Sequence, residues 1–424
     1  MAPARRRIAV DIGPLRESRD LRLLVLGNFV SGLGTQAGLV ALPYQLYVQT
    51  HSTLLTGLLG AFELVPLITM ALLGGALADR FDRRTLLLVD QVALVALSGA
   101  LAAGAFLGHP PVIVLYVLGG LLAGASAVQN VVRSSIIPNL VPPGRLKSAL
   151  ALNYGLYQLT IVIGPGVGGL LIAGFGVGVV YAVDAVSCLA MVWAALAIAR
   201  QPPERTHVGG ESPGVWRSIV DGLRYVRGNR ALLGSFAIDL CAMTFGMPRA
   251  LFPALSLTVY HTGAAGTGAL LAAVSAGATI AALTTGWIEH ARRLGVIVIC
   301  AVCAWGAAIA LAGLVSTLWA AALLFALAGA ADSVSAVCRS VINQSVTPDA
   351  MRGRMSSVYS LVVTSGPRFG DLEAGLVASL RDAQFSVVTG GIACIVAAVA
   401  IAAAFPALGS YDSETAGEIE LATA

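Results

Sequence analysis

The sequence predicts an all-α polytopic membrane protein with about 12 transmembrane helices arranged as two six-helix halves. Three observations predict it. Hydrophobic residues make up 57% of the 424 positions and charged residues 11%, where a soluble domain carries about 25% charge. Basic residues recur at alternate turns only: Arg5 to Arg22, Arg80 to Arg84, Arg145 with Lys147, Arg200 to Arg230, Arg292-Arg293 and Arg352 with Arg354. The intervening turns near His51, His109, Gly174, His261 and Thr317 hold almost none, Arg381 excepted. Alternation of this kind predicts both termini in the cytoplasm and an even number of spans. The third observation is a repeat. Val128, Arg133 and Ser134 are echoed by Val334, Arg339 and Ser340, Pro142 by Pro348, and Gly164-Pro165 by Gly366-Pro367.

In order, residues 1–21 form a cytoplasmic N-terminal segment, with no cleavable leader expected, since no short apolar run follows Arg5-Arg6-Arg7. The first half, 22–199, carries spans near 22–48, 54–78, 85–107, 111–135, 147–173 and 177–199. A cytoplasmic loop follows at 200–230. In it Trp216, Ile219, Val220, Leu223, Tyr225 and Val226 interleave with Arg217, Arg224 and Arg227, which suits an amphipathic helix on the inner leaflet. The second half, 231–407, carries spans near 231–259, 265–288, 294–315, 318–343, 354–380 and 384–407. An acidic cytoplasmic tail, 408–424, closes the chain, and its composition predicts disorder.

Several chemistries are set aside. The arginines follow the spans, so no nucleic-acid partner is expected. Cys300-x-x-Cys303 lies among apolar residues with no nearby His or carboxylate, so neither a metal nor a cofactor is expected. Gly164-x-Gly166-x-x-Gly169 matches a dinucleotide fingerprint but sits inside a span rather than in a βαβ unit. No nucleophile–base pairing suggests an enzyme. The expected partners are a small-molecule substrate, protons and the lipid bilayer, with the chain acting as a monomer.

Between the second and third spans lies Gly75-Ala-Leu-Ala-Asp79-Arg80-Phe-Asp82-Arg83-Arg84. Taken alone it is a polar turn obeying the charge rule. It also resembles the signature loop of the major facilitator superfamily, Gly-x-x-x-Asp-Arg-x-Gly-Arg-Arg, with Asp82 where the superfamily more often has Gly. The resemblance implies a transporter with its site between two halves. It makes Gly75, Asp79, Arg80, Arg83 and Arg84 a conformational latch, with Asp90 as a buried partner. Gly164-Pro165-x-x-Gly168-Gly169 in the fifth span resembles the helix-five element of superfamily antiporters, although Ala151 and Thr160 replace two of its glycines. Close helix packing explains the same residues.

The eleventh span holds Arg368, Asp371 and Glu373. Each charge near the bilayer centre costs roughly 2.5–3.5 kcal/mol, so this face avoids lipid. The i,i+3 spacing predicts an Arg368–Asp371 pair with Glu373 left freer. Glu63, Asp184, Asp239 and Asp332 are further intramembrane acids, Arg249 a further cation, while Arg133 and Arg339 fall near span ends and are expected to snorkel. Six acids against two deep arginines leave carboxylates without fixed cations. The candidates for carrying protons are Asp239 first, then Glu63, Glu373, Asp371 and Asp332; structural acids remain the alternative. Asn28, Gln36, Gln45, Asn153 and Tyr157 are candidate polar groups of a cavity, or helix–helix hydrogen-bonders.

Within the superfamily the chain resembles the enterobactin exporter branch, on Asp11-Ile-Gly-Pro-Leu-Arg16, Leu42-Pro-Tyr-Gln45, the loop at 75–84 and Gly366-Pro-Arg-Phe-Gly-Asp371. This implies proton-driven export of a catecholate siderophore or related metabolite. A drug or macrolide efflux pump on the same scaffold is the alternative, and a non-transporting membrane sensor a more distant one.

Overall fold

The structure is a computed structural model that describes residues 13–200, 215–348 and 351–411. The side chains of Gly75, Ala76, Ala78, Asp79, Ser134, Pro143 and residues 215–218 are outside that description. Two of the expected latch residues, Gly75 and Asp79, therefore fall outside it, as do the first twelve residues, 201–214 and the end of the tail.

Every described element is helical. The short α1 (Gly13–Glu17) leads into α2 (Arg19–Thr50), α3 (Thr53–Arg80), α4 (Arg83–Leu107), α5 (Val112–Leu140), α6 (Leu146–Phe175) and α7 (Val177–Ala197). After α8 (Val215–Gly228) come α9 (Arg230–Phe245), α10 (Phe252–Thr258), α11 (Gly263–Thr284), α12 (Leu294–Leu314), α13 (Leu318–Val346), α14 (Arg352–Leu380), α15 (Ala383–Ala404) and the single turn α16 (Pro406–Gly409). Among the described residues, eleven segments are long and apolar enough to cross a bilayer, α9 and α10 counting as one of them. The twelfth expected span, α14, has the length but not the composition, because Arg368, Asp371 and Glu373 interrupt it. In lipid the backbone must satisfy its own hydrogen bonds, which leaves helices as the solution for such apolar runs.

The chain forms two compact units. Among the described residues, those up to Leu42 and from Val65 to Arg200 make one. Pro43–Leu64 and everything from α8 onward make the other.

In the first unit, Leu21, Leu24, Leu87, Val132, Ile136 and Met191 form a buried cluster. In the second, Trp305, Phe252 and Phe325 anchor the core, with Phe252 and Phe325 edge to face at 4.9 Å. Small residues stitch its helices together. An added methyl on Gly329 would strike the carbonyl of Val274, and one on Gly306 would lie 2.7 Å from the carbonyl of Gly391. Backbones at such range gain dispersion contacts that replace the missing hydrophobic drive between helices in lipid.

The loop helix α8 is held by protein contacts. It docks on protein: Asp221 pairs with Arg354 of α14 at 3.4 Å, and the Tyr225 hydroxyl donates to the carbonyl of Val346. Ile219 and Val226 are buried, while Val220 and Leu223 stay exposed. Its apolar residues serve two faces, which interleaving alone does not separate.

Candidate functional site

The second unit contains a span that breaks. Helix α9 stops at Phe245, and Gly246-Met247-Pro248 separates it from a 3-10 turn at Arg249–Leu251 that continues as α10. Proline has no amide hydrogen and clashes with the preceding turn; α2 and α3 run on through Pro43 and Pro66, but with Gly246 just ahead of Pro248 the helix stops here. The break frees backbone groups where lipid offers no partner. Two side chains satisfy them. The Trp305 indole donates to the Gly246 carbonyl at 2.9 Å. The Asp371 carboxylate accepts from the Ala250 amide at 3.1 Å.

That second bond corrects the expected Arg368–Asp371 pair. Asp371 turns toward the broken span, and Arg368 reaches instead to Glu63 of α3 at 3.3 Å. The i,i+3 spacing permitted the first pairing, but a partner on another helix took each residue. Glu63 is therefore an ion-paired acid rather than one without a cation.

Asp239 on α9 meets Arg339 on α13 at 2.8 Å, their side chains 2% and 1% exposed. Arg339 also lies 4.0 Å from Asp332 and donates to the Ser335 hydroxyl. This corrects the expectation that Arg339 snorkels: α13 runs on to Val346, so Arg339 sits about two turns inside its helix. Burying two opposite charges is costly but tolerable when they meet. Asp239 Oδ1 and Arg339 Nε lack a hydrogen-bond partner among the described residues, so attraction rather than aligned hydrogen bonding makes this pair. The arrangement is an arginine between two carboxylates, 2.8 Å from Asp239 and 4.0 Å from Asp332.

Arg249 is exposed although it lies in the break, and it makes no ion pair among the described residues. It has Asp371 and Asp332 within Coulombic reach. With Asp332, Trp305 and Phe325 it lines a cleft of about 20 Å³, room for a single water. Glu373 is half-buried.

In the first unit the loop after α3 is a two-residue turn, Phe81-Asp82. Asp82 caps α4: its carboxylate accepts from the Thr85 amide at 2.9 Å, and its φ is −56°. The backbone here does not demand glycine. Arg84 donates to the carbonyls of Ala195 and Leu196 at the end of α7, and Arg83 to Ser135 of α5. Cations at helix C-termini offset the partial negative charge there. Arg80 is exposed.

Asp90 is buried, with its carboxylate 3.4 Å from the Gln91 amide. Arg133 is buried too, its guanidinium 5.6 Å above the Tyr157 ring, so it does not snorkel either. Asp184 is held by hydroxyls, Ser98 at 2.6 Å and Thr35 at 3.1 Å.

The helix-five element packs α6 on α2. A methyl on Gly164 would strike Gln36, and one on Gly168 would lie 2.6 Å from the Ala37 carbonyl. Pro165 and Gly169 are buried in the same face. Gln36 is thus partly committed to packing. Asn28 and Gln45 are buried, and Asn153 and Tyr157 half-buried.

Eleven apolar spans among the described residues, one of them broken, with charges paired across helices, define a polytopic membrane protein. Residues 9–420 match the transmembrane secretion effector family. The chain belongs to that family of the major facilitator superfamily. It is 28% identical over 398 residues to the enterobactin exporter EntS of Shigella boydii serotype 4, covering 92% of each chain. To the enterobactin exporter EntS of Citrobacter koseri it is 27% identical, covering 90% of this chain and 91% of that one. The crystal structure of the nucleoside transporter NupG shares the fold, with a TM-score of 0.74 at 14% identity over 92% of this chain and 99% of that one.

Proposed function

We propose that this chain is a proton-coupled exporter of a catecholate siderophore or related secondary metabolite. It works by alternating access as a monomer in the bacterial inner membrane, with both termini cytoplasmic and α14 as its twelfth span. The observation that carries the substrate class is similarity to enterobactin exporters along 92% of both chains. Sidedness follows from the basic turns. No cofactor is needed.

Coupling centres on the arginine between two carboxylates. When Asp239 takes a proton, its hold on Arg339 ends and the guanidinium turns to Asp332, loosening α9 from α13. Losing the proton restores the pair. Asp371 and Glu63 are committed to Ala250 and Arg368, and Glu373 is a secondary proton site. The turn at 75–84 is the latch on the cytoplasmic side. Asn28, Gln36, Gln45, Asn153 and Tyr157 are the candidate polar groups for the solute.

The test is uptake into inverted membrane vesicles energised to an acidic, positive interior. Enterobactin, a macrolide and a cationic dye are supplied in turn. Accumulation of enterobactin alone is expected. Accumulation of dye and macrolide without enterobactin would make the chain a drug efflux pump, and accumulation of none a sensor.

A further inference from the structure

Helix α8 has a face that no described residue covers. Val220, Leu223, Arg224 and Arg227 follow at i, i+3, i+4 and i+7, the spacing of a single helical face. All four are exposed: Val220 to 48%, Leu223 to 42% and the Arg224 side chain to 80%. The opposite face is fastened to α14. Ile219, Gly222 and Val226 are buried. A methyl on Gly222 would lie 2.6 Å from Val358 and 2.9 Å from the Arg354 carbonyl. Asp221, the one acid of this helix, pairs with Arg354 at 3.4 Å. The exposed face therefore carries cations and apolar side chains and no carboxylate of its own.

The depth of α8 follows from what it is tied to. A span long and apolar enough to cross a bilayer begins at Arg230, joined to α8 through Asn229 alone, and another ends at Val346. The Tyr225 hydroxyl donates to the carbonyl of that last residue at 3.0 Å. A helix bound to the ends of two spans lies where hydrocarbon gives way to headgroups. Arg230 is exposed as well and adds a third guanidinium at that level. The charge rule for loops accounts for arginines here, but not for two large apolar side chains set among them and left open. Apolar side chains entering the acyl boundary beside a row of cations are the pattern of a helix that binds an anionic leaflet.

We propose that the face formed by Val220, Leu223, Arg224 and Arg227 binds anionic phospholipid headgroups of the adjoining leaflet. The bound lipid steadies the start of α14 through Asp221–Arg354 and the close crossing at Gly222. Assigning that leaflet to the cytoplasmic side rests on the proposed topology, whereas the binding of lipid does not. The same α14 carries Asp371, which holds the Ala250 amide, so surface charge reaches the broken span through a single helix.

The experiment places the purified full chain in nanodiscs of phosphatidylcholine, with or without phosphatidylglycerol as the minor lipid. In a chain with its six cysteines replaced by alanine, Leu223→Cys carries a fluorophore. Its quenching by nitroxide-labelled phosphatidylglycerol is compared with quenching by nitroxide-labelled phosphatidylcholine. Phosphatidylglycerol should quench about threefold more strongly, and about 1 M salt, which shortens the Debye length to about 3 Å, should level the two. Arg224→Gln with Arg227→Gln should level them without salt. Hydrogen exchange, run on the chain with its own cysteines, reads the link to α14. Phosphatidylglycerol should slow amides 354–360 about threefold. Asp221→Asn should abolish that slowing while the lipid preference at position 223 persists. Equal quenching by the two lipids would overturn the binding surface. So would a preference that free glycerol phosphate competes away, which would make the ligand a soluble anion. A preference surviving in Arg224→Gln with Arg227→Gln would take the site from these arginines. Exchange indifferent to phosphatidylglycerol would overturn the link to α14. No readout here needs a transported solute, so failure of the siderophore reading leaves all of them standing.

Discussion

The guanidinium of Arg339 lies 2.8 Å from the carboxylate of Asp239, and both side chains are almost wholly withdrawn from solvent. Each is affordable there only because of the other. Removing one partner of a buried pair costs about 3–5 kcal/mol, whereas removing both can be nearly neutral. Asp239→Asn should therefore lower the melting temperature in detergent, and Asp239→Asn with Arg339→Gln should recover most of it. A double variant as unstable as the worse single would show that the pair is not the source of the loss.

The two bonds that repair the broken span make a second prediction. Trp305→Phe keeps an aromatic ring, removes the donor to Gly246 and leaves a small void, so it should cost at least about 1–3 kcal/mol. Asp371→Asn keeps a carbonyl acceptor for Ala250 and should be mild, while Asp371→Leu should be severe. Thermal unfolding of the three purified variants ranks them.

Asp82 caps α4 through the Thr85 amide. Asp82→Ala should cost about 0.5–2 kcal/mol and Asp82→Gly only a few tenths. Equal losses in the two unfolding curves would remove the capping role.

Two glycines of α6 should respond in opposite directions. Gly168→Ala would bring a methyl to 2.6 Å from the Ala37 carbonyl, whereas Gly155 faces open space. Gly168→Ala should destabilise the protein. Gly155→Ala should stabilise it by roughly 0.5–1 kcal/mol, the helix gain of alanine over glycine.

Much of this architecture was legible in the residues. Apolar runs and alternating arginines located the spans because the bilayer sets both length and charge placement. The helix-five glycines read as a packing surface because a missing side chain is visible in sequence. Pairing was less legible. Arg368 had an acid three residues away on its own helix, yet its partner is Glu63, 305 positions earlier; no local spacing encodes that. Arg339 looks terminal in a span that closes near residue 343, while the helix continues to Val346. The broken span did carry a signal, Gly246-x-Pro248 amid apolar residues, whose meaning depends on Trp305 and Asp371 being placed to accept the consequences.

The central claim is that a proton on Asp239 exchanges for solute. Purified protein in liposomes with a trapped pH dye, given enterobactin on one side, measures it directly. The account predicts solute-driven proton movement in the native chain, and none in Asp239→Asn, which should still exchange labelled for unlabelled enterobactin. Proton movement persisting in Asp239→Asn, or enterobactin crossing the native protein with no proton movement at all, would contradict it.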